Sequence, residues 1–259
     1  MKPIKFLILS FVVILLTLGV SPYAKSNPAP THTQFDNWSY SGEVDPNHWE
    51  DLSSEFATCK TGNQQSPINI EETKGANLAP IEFNYKNTPF KVINNGHTIE
   101  VEYEPGSSIK LGGKRYELRQ FHFHDPSEHT VDGKIYPMEA HLVHKSKNGK
   151  LAVIGIFLKE GQQNDFIQTL WANIPVEKGE KTVKGVSINV SALTPTDKSY
   201  YHYFGSLTTP PCSEGVNWNV LKTPVEISPE QIAKFTSVYS GNVRPVQPLN
   251  RRVIEVKNF

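Results

Sequence analysis

His122 and His124 stand two residues apart in the segment Tyr116–His129, YELRQFHFHDPSEH, and His141 follows within Glu139–His144. On an extended strand, residues i and i+2 share a face, so two imidazoles at that spacing can converge on one ion. Strict alternation places Tyr116, Leu118, Gln120, His122 and His124 on one face, with Phe121 and Phe123 behind them to bury and stiffen the strand. The next strand puts Glu139, His141 and Val143 together, so His141 completes a three-histidine set beside an apolar neighbour. Three neutral imidazoles with an open fourth position describe a catalytic rather than a structural Zn2+ site. His144 falls on the opposite face and reads as an ordinary packed or surface histidine. A ligating imidazole usually donates its other ring N–H to a carboxylate or carbonyl. Gln120, two before His122, and Glu139, two before His141, are placed to orient their neighbours.

The same residues admit a rival. H-x-H followed by three residues and Glu128 also matches the metal motif of cupin barrels, with Glu128 as a ligand to iron or manganese. That motif continues with a spaced glycine and a later P-x-G. Here Gly133 comes too early, and no P-x-G precedes His141.

The elements that must position these groups are mostly short strands, expected at Ile81–Tyr85, Lys91–Asn94, Thr98–Glu104, Tyr116–His124, Glu139–His144 and Leu151–Leu158. The last, LAVIGIFL, is continuously apolar and reads as a buried central strand. Two helices are expected. Asn164–Ile174 gathers Phe166, Ile167, Leu170, Trp171 and Ile174 on one face and stops at Pro175. Ser228–Tyr239 opens with an N-cap serine, a first-turn proline and Gln231 at the capping-box position. The 17 Gly and 19 Pro among 259 residues suit many turns rather than a helix bundle. With 26 Lys plus Arg against 26 Asp plus Glu there is no basic bias, which argues against nucleic acid as a partner.

Lys2 and Lys5 precede an apolar run from Phe6 to Val20, too short for a spanning helix and typical of a secretory signal. Small residues at Ala24 and Ser26 place cleavage after Ser26, giving a signal peptide at 1–26, a lead-in at 27–36 and one domain at 37–259. Losing Lys2, Lys5 and Lys25 leaves 23 positive against 26 negative groups, a mature charge of −3 with no stable membrane span. An oxidising, periplasmic or extracellular compartment would let Cys59 and Cys212 join in a disulfide. The alternative, a metal site, lacks C-x2-C spacing.

In the order and spacing of seven motifs the chain resembles the α-class carbonic anhydrases, secreted bacterial members above all. QSPI at Gln65–Ile68, NNGH at Asn94–His97, QFHFH, SEHT and E-x-H-L-V-H are followed by SLTTPP at Ser206–Pro211 and RPVQPLN at Arg244–Asn250. The resemblance runs from about Trp38 onward. It implies a large twisted, mostly antiparallel sheet with few peripheral helices and zinc at the base of a conical cleft. It also implies reversible hydration of carbon dioxide to bicarbonate by attack of zinc-bound hydroxide. Cys59 and Cys212 sit where the secreted bacterial members are bridged. Those members are often dimers, so a homodimer is allowed, although no surface stripe in the sequence marks one.

Carried over residue by residue, His122, His124 and His141 are the implied zinc ligands. Thr208 is the implied gatekeeper, oriented by Glu128. Val143, Val153, Leu207 and Trp218 match the apolar wall beside the metal, with Thr209 also at the substrate. An apolar wall suits carbon dioxide, which has no net dipole. His97 matches the proton shuttle, a task suited to a side chain that titrates near neutrality. Tyr40, Asn94 and Glu100 match positions lining ordered water. Glu100 departs from the amide common there, and Asp125 from the tryptophan that animal members carry after the second ligand. Carbonic anhydrase-like domains that bind partners without catalysis have typically lost a ligand, whereas this chain keeps all three histidines.

Overall fold

A computed structural model of the chain describes residues 37–258. The expected signal peptide and lead-in fall outside them. The described strands are β1 (Asn69–Ile70), β2 (Lys74–Gly75), β3 (Glu82–Asn84), β4 (Thr88–Asn94), β5 (Ile99–Glu102), β6 (Ser108–Leu111) and β7 (Lys114–His124). They continue as β8 (Thr130–Val131), β9 (Met138–Lys145), β10 (Leu151–Glu160), β11 (Gly179–Ile188), β12 (Tyr200–Ser206), β13 (Glu214–Ile227) and β14 (Glu255–Lys257). The helices are short: α1 (Trp49–Leu52), α2 (Thr58–Thr61), α3 (Asp165–Trp171) and α4 (Pro229–Thr236).

One 12-stranded sheet runs in the order β11-β4-β5-β7-β9-β10-β13-β12-β14-β2, with β6 on β7 and β3 on β6. Its pairs are antiparallel except β10–β13 and β14–β2. The mostly antiparallel expectation holds. The strands β11, β12 and β13 are additions to the sequence reading. In β13, Pro224 and the polar run Asn217, Asn219 and Lys222 mask a strand that is held between two neighbours.

The unbroken apolar run of β10 follows from its two covered faces. Ala152, Ile154, Ile156 and Leu158 join the larger core, which also holds Phe121, Phe123, Ile167, Trp171 and Phe235. Val153 and Phe157 join a second core with Ile68, Tyr203, Trp218 and Val220. Helices α3 and α4 pack on the first face, where Phe123 meets Trp171 edge to face at 4.8 Å. Burying each such side chain is worth roughly 1.5–3 kcal/mol. Ser228 and Gln231 form the expected capping box of α4. Gln231 Nε2 also donates to Asn164 O at 2.7 Å, tying α4 to the cap of α3.

Strict alternation fails at one place in β7. The β7–β9 register shifts between Leu118 and Gln120, leaving Arg119 as an extra residue in a β-bulge. Tyr116 and Leu118 therefore face the large core together with Phe121 and Phe123. Only Gln120, His122 and His124 turn to the opposite side, which corrects the expected five-residue face. The bulge changes the phase of the strand just before the histidines.

Candidate active site

The site is built on β7 and β9, whose ladder sets His122 directly opposite His141 and His124 opposite Glu139. His122, His124 and His141 each offer one ring nitrogen, and these atoms lie within 4.8 Å of one another. The other ring nitrogen of each is already engaged. His122 Nδ1 donates to Gln120 Oε1 at 2.8 Å, His124 Nδ1 to the carbonyl of Asn242 at 2.8 Å, and His141 Nε2 to Glu139 Oε1 at 3.0 Å. These bonds fix the tautomers and leave Nε2, Nε2 and Nδ1 turned inward.

His124 Nε2 is fully buried and has no hydrogen-bond partner among the described residues. A buried polar atom left so is expensive unless something else satisfies it. Burial holds His122 well below the ordinary imidazole value, with the neighbouring His124 and His141 adding to it, and burial lowers His124 too. At His141 burial is outweighed by Glu139, which raises the value. Three imidazole nitrogens, two of them kept neutral by their surroundings, fit Zn2+, which requires deprotonated ligands.

Glu139 is shared. Its Oε1 also accepts from His129 Nδ1 at 2.8 Å, and its Oε2 from His129 N at 2.9 Å. His129 Nε2 lies 2.7 Å from the Tyr203 hydroxyl, which lies 2.8 Å from Ser66 Oγ. Ser66 and Ser206 exchange bonds at 2.9 and 3.1 Å, and Ser206 Oγ donates to Leu207 O at 2.7 Å. A buried polar chain thus runs from His141 to the start of the Leu207–Cys212 loop. Ser66 and His129 stand inside the QSPI and SEHT motifs without an assigned role, and Tyr203 was not singled out, because what joins the three is tertiary contact. The same holds for Asn242, whose Nδ2 also reaches His97 O and Phe123 O at 3.1 and 3.0 Å.

Glu128 is buried, and its Oε1 accepts from Arg244 N at 2.9 Å. Its Oε2 has no hydrogen-bond partner, so no bond joins it to Thr208 among the described residues. Oε2 lies 3.6 Å from His124 Nε2 and 3.9 Å from His141 Nδ1. Thr208 is buried in the loop after β12, and Thr209 O accepts from Cys212 N at 2.8 Å. Cys59 and Cys212 are joined by a disulfide across 153 residues. The Arg244 guanidinium fixes the same region, bonding Gln65 Oε1, Ser66 O and Cys59 O at 2.8, 2.8 and 2.6 Å. Burial lowers the Arg244 pKa to about 10, partly offset by Glu128.

Val153 and Trp218 belong to the second core, with Val143 and Leu207 packed against it. The Trp218 ring lies 4.8 Å from that of His141. His97 is half-buried in the turn after β4 and stacks on Trp38 with centroids 3.8 Å apart and planes 8° from parallel. Tyr40 packs edge to face on Trp38 and Trp49, and burial followed by the Glu128 charge raises its phenol well above the ordinary value.

Asn94 departs from expectation. Its Nδ2 donates to Pro175 O and Val176 O at 3.1 and 3.0 Å, and its Oδ1 accepts from Gly96 N and the Tyr239 hydroxyl. An amide has two donors and two lone pairs, so nothing remains for cleft water. Asn94 closes a turn instead of lining solvent. Glu100 sits opposite His122 on β5. Burial raises its pKa to about 7, with Glu102 adding to the rise and Lys91 opposing it. His144 is fully buried behind the site and meets the Tyr85 hydroxyl at 3.0 Å.

A family model described as eukaryotic-type carbonic anhydrase matches residues 44–258. A carbonic anhydrase of Nostoc sp. is 45% identical over 243 residues, covering 92% of each chain. A hyperthermostable carbonic anhydrase from a hydrothermal vent chimney is 50% identical, with a TM-score of 0.83 over 85% of this chain and all of that one. The α-carbonic anhydrase of Thermovibrio ammonificans, solved with the inhibitor sulfanilamide, is 49% identical, with a TM-score of 0.81 over 84% of this chain and 98% of its own. With the three-histidine face and the mostly antiparallel sheet that presents it, the chain belongs to the α-class carbonic anhydrase family.

Proposed function

We propose that the chain hydrates carbon dioxide reversibly at a Zn2+ ion held by His122 Nε2, His124 Nε2 and His141 Nδ1, in the periplasm or outside the cell after residues 1–26 are removed. The observation that carries this reading is the convergence of three inward ring nitrogens whose opposite nitrogens are all engaged. Zinc supplies hydroxide at neutral pH by lowering the pKa of a bound water from 15.7 to about 7.

The chain's own residues do the rest. Glu128 keeps one oxygen on Arg244 N, and its second, which has no partner among the described residues, is the acceptor assigned to the Thr208 hydroxyl in this reading. A hydroxyl that donates to a carboxylate has its own lone pairs left to accept, so Thr208 sets which way the attacking oxygen points its proton. Val143, Val153, Leu207 and Trp218 hold the apolar substrate where hydrogen bonds would gain little, with Thr209 beside them. His97 carries the released proton to buffer, and its stacking on Trp38 limits the orientations the ring must search. Tyr40 and Glu100 are assigned to the ordered water between the site and solvent. The Cys59–Cys212 bridge and Arg244 hold the loop that carries Thr208.

The test is rapid-mixing hydration of carbon dioxide by the mature chain, with a zinc-stripped sample beside it. Fast acidification that vanishes on stripping and returns with zinc is expected. No acceleration with one zinc bound per chain would refute the catalytic reading, and failure to bind zinc would refute the ligand set.

A further inference from the structure

The end of β7 remote from the histidines carries a feature that carbon dioxide hydration does not use. Lys114, Arg115, Arg119, Lys145, Lys147 and Lys150 line one cleft of about 590 Å³, and all six are exposed. The only acid lining it is Glu117, which is paired with Arg119 at 2.9 Å. The other five cations form no ion pair among the described residues. In a protein of zero formal charge, gathering six of 26 basic residues around one cleft creates a strong local positive potential.

The cations stand on stiff supports. Lys114 leaves a two-residue turn whose Gly112 and Gly113 have φ of 52° and 78°, a hairpin geometry that glycine favours. Lys147 and Lys150 lie on the β9–β10 turn, closed by Ser146 N to Lys150 O at 2.8 Å and Gly149 N to Ser146 O at 3.0 Å. Lys145 faces Glu117 across the β7–β9 ladder. The backbone that presents the charges is therefore already ordered, which lowers the entropy lost on binding.

Lys114, Tyr116 and Lys150 also line a neighbouring cleft of about 500 Å³ with His202, Phe204 and Asn217. The two clefts share a wall at Lys114, Tyr116 and Lys150, so an extended chain that leaves one can enter the other, and together they are treated as one trough. The flat face of a bilayer does not enter a concave site, and the one exposed large hydrophobic residue on the trough among the described residues, Phe204, lines the neighbouring cleft rather than the cationic one. We propose that this trough binds a linear polyanion in solution, a polymer of repeating phosphate or sulfate groups, with Lys114, Arg115, Lys145, Lys147 and Lys150 as its anchors.

The test uses the full mature chain with zinc bound and fluorescently labelled dextran sulfate, which supplies the charge without competing strongly for zinc. Long-chain inorganic polyphosphate serves as the phosphate arm, and anionic phospholipid vesicles as the membrane arm. Saturable binding at 50 mM salt is expected. If about five charges are neutralised, affinity falls on the order of 100-fold between about 50 and 200 mM salt, taking the slope known for single-stranded nucleic acids. Lys147→Gln with Lys150→Gln should weaken binding at least about tenfold while carbon dioxide hydration stays unchanged. No binding at low salt, or binding unaffected by the double substitution, overturns the site. Vesicles bound more tightly than either polymer overturn the soluble occupant. Binding of one polymer but not the other retains the site and identifies whether phosphate or sulfate is its chemistry.

Discussion

Gly155 lies opposite His141 on β10, on the face between Val153 and Phe157 that looks toward the histidines. A Cβ added there would stand 3.0 Å from Glu139 Oε1 and 3.2 Å from Val220 Cγ2. Its backbone is not in the left-handed region, so alanine is conformationally acceptable and the contact itself is what changes. The carboxylate must give way by a few tenths of an ångström, yet it is held by His129 N, His129 Nδ1 and His141 Nε2 at 2.9, 2.8 and 3.0 Å. Loss of a group that orients a metal ligand costs about 10–100-fold in metal affinity. Displacement is milder than loss, so Gly155→Ala should weaken zinc binding by about tenfold, close to 1.4 kcal/mol. Glu139→Ala gives the upper limit. The assay is competition for zinc against a chromophoric chelator, with thermal unfolding of the zinc-free proteins beside it. Zinc affinity within about twofold of wild type would refute the claim that Glu139 is rigidly placed, because the added methyl would then have been absorbed without disturbing His141.

Glu100→Gln should stabilise the protein above neutrality. An acid whose pKa rises from 4.5 to about 7 on folding binds its proton more tightly when folded, so its stabilising effect is greatest below 4.5 and falls as pH climbs through 7. The variant should gain about 1–3 kcal/mol at pH 8 and nothing at pH 4 in denaturant titrations; an equal gain at both would refute the linkage. Replacing Cys59 and Cys212 together by alanine opens a loop closed over 153 residues and should lose up to about 5 kcal/mol on the chain-entropy model. Melting should fall by roughly 10–20 °C, and a fall under about 4 °C would show that other contacts hold the loop. His97→Ala should slow turnover in dilute buffer and recover with added imidazole. An unchanged rate in dilute buffer would remove His97 from proton transfer.

Much of the site was legible because strand periodicity is local. His122, His124 and His141, and the orienting roles of Gln120 and Glu139, follow from residues two apart on neighbouring strands. The bulge at Arg119 was not legible, since one unpaired residue leaves no compositional trace, and it removed Tyr116 and Leu118 from the histidine face. Asn94 shows the limit of transferring a role by motif: its side chain is committed to Pro175, Val176, Gly96 and Tyr239. The third orienting group, Asn242 O, is a backbone carbonyl 118 residues from His124 and could carry no residue-type signal at all. The strands β12 and β13 were obscured by their polar residues, which the sheet accommodates through neighbours remote in sequence.

That last carbonyl has a consequence for the order in which the protein comes into being. A chain made from its N-terminus holds all three histidines well before Asn242 exists. Until the segment Asn242–Arg244 arrives, His124 lacks its tether, Glu128 lacks the Arg244 amide, and Cys59 O and Ser66 O lack their guanidinium. A nascent chain therefore carries the three histidines without the contacts that fix them. The three-histidine face is thus completed by the last part of the chain to be made, and a truncation before Asn242 would leave His124 and Glu128 without the partners that hold them.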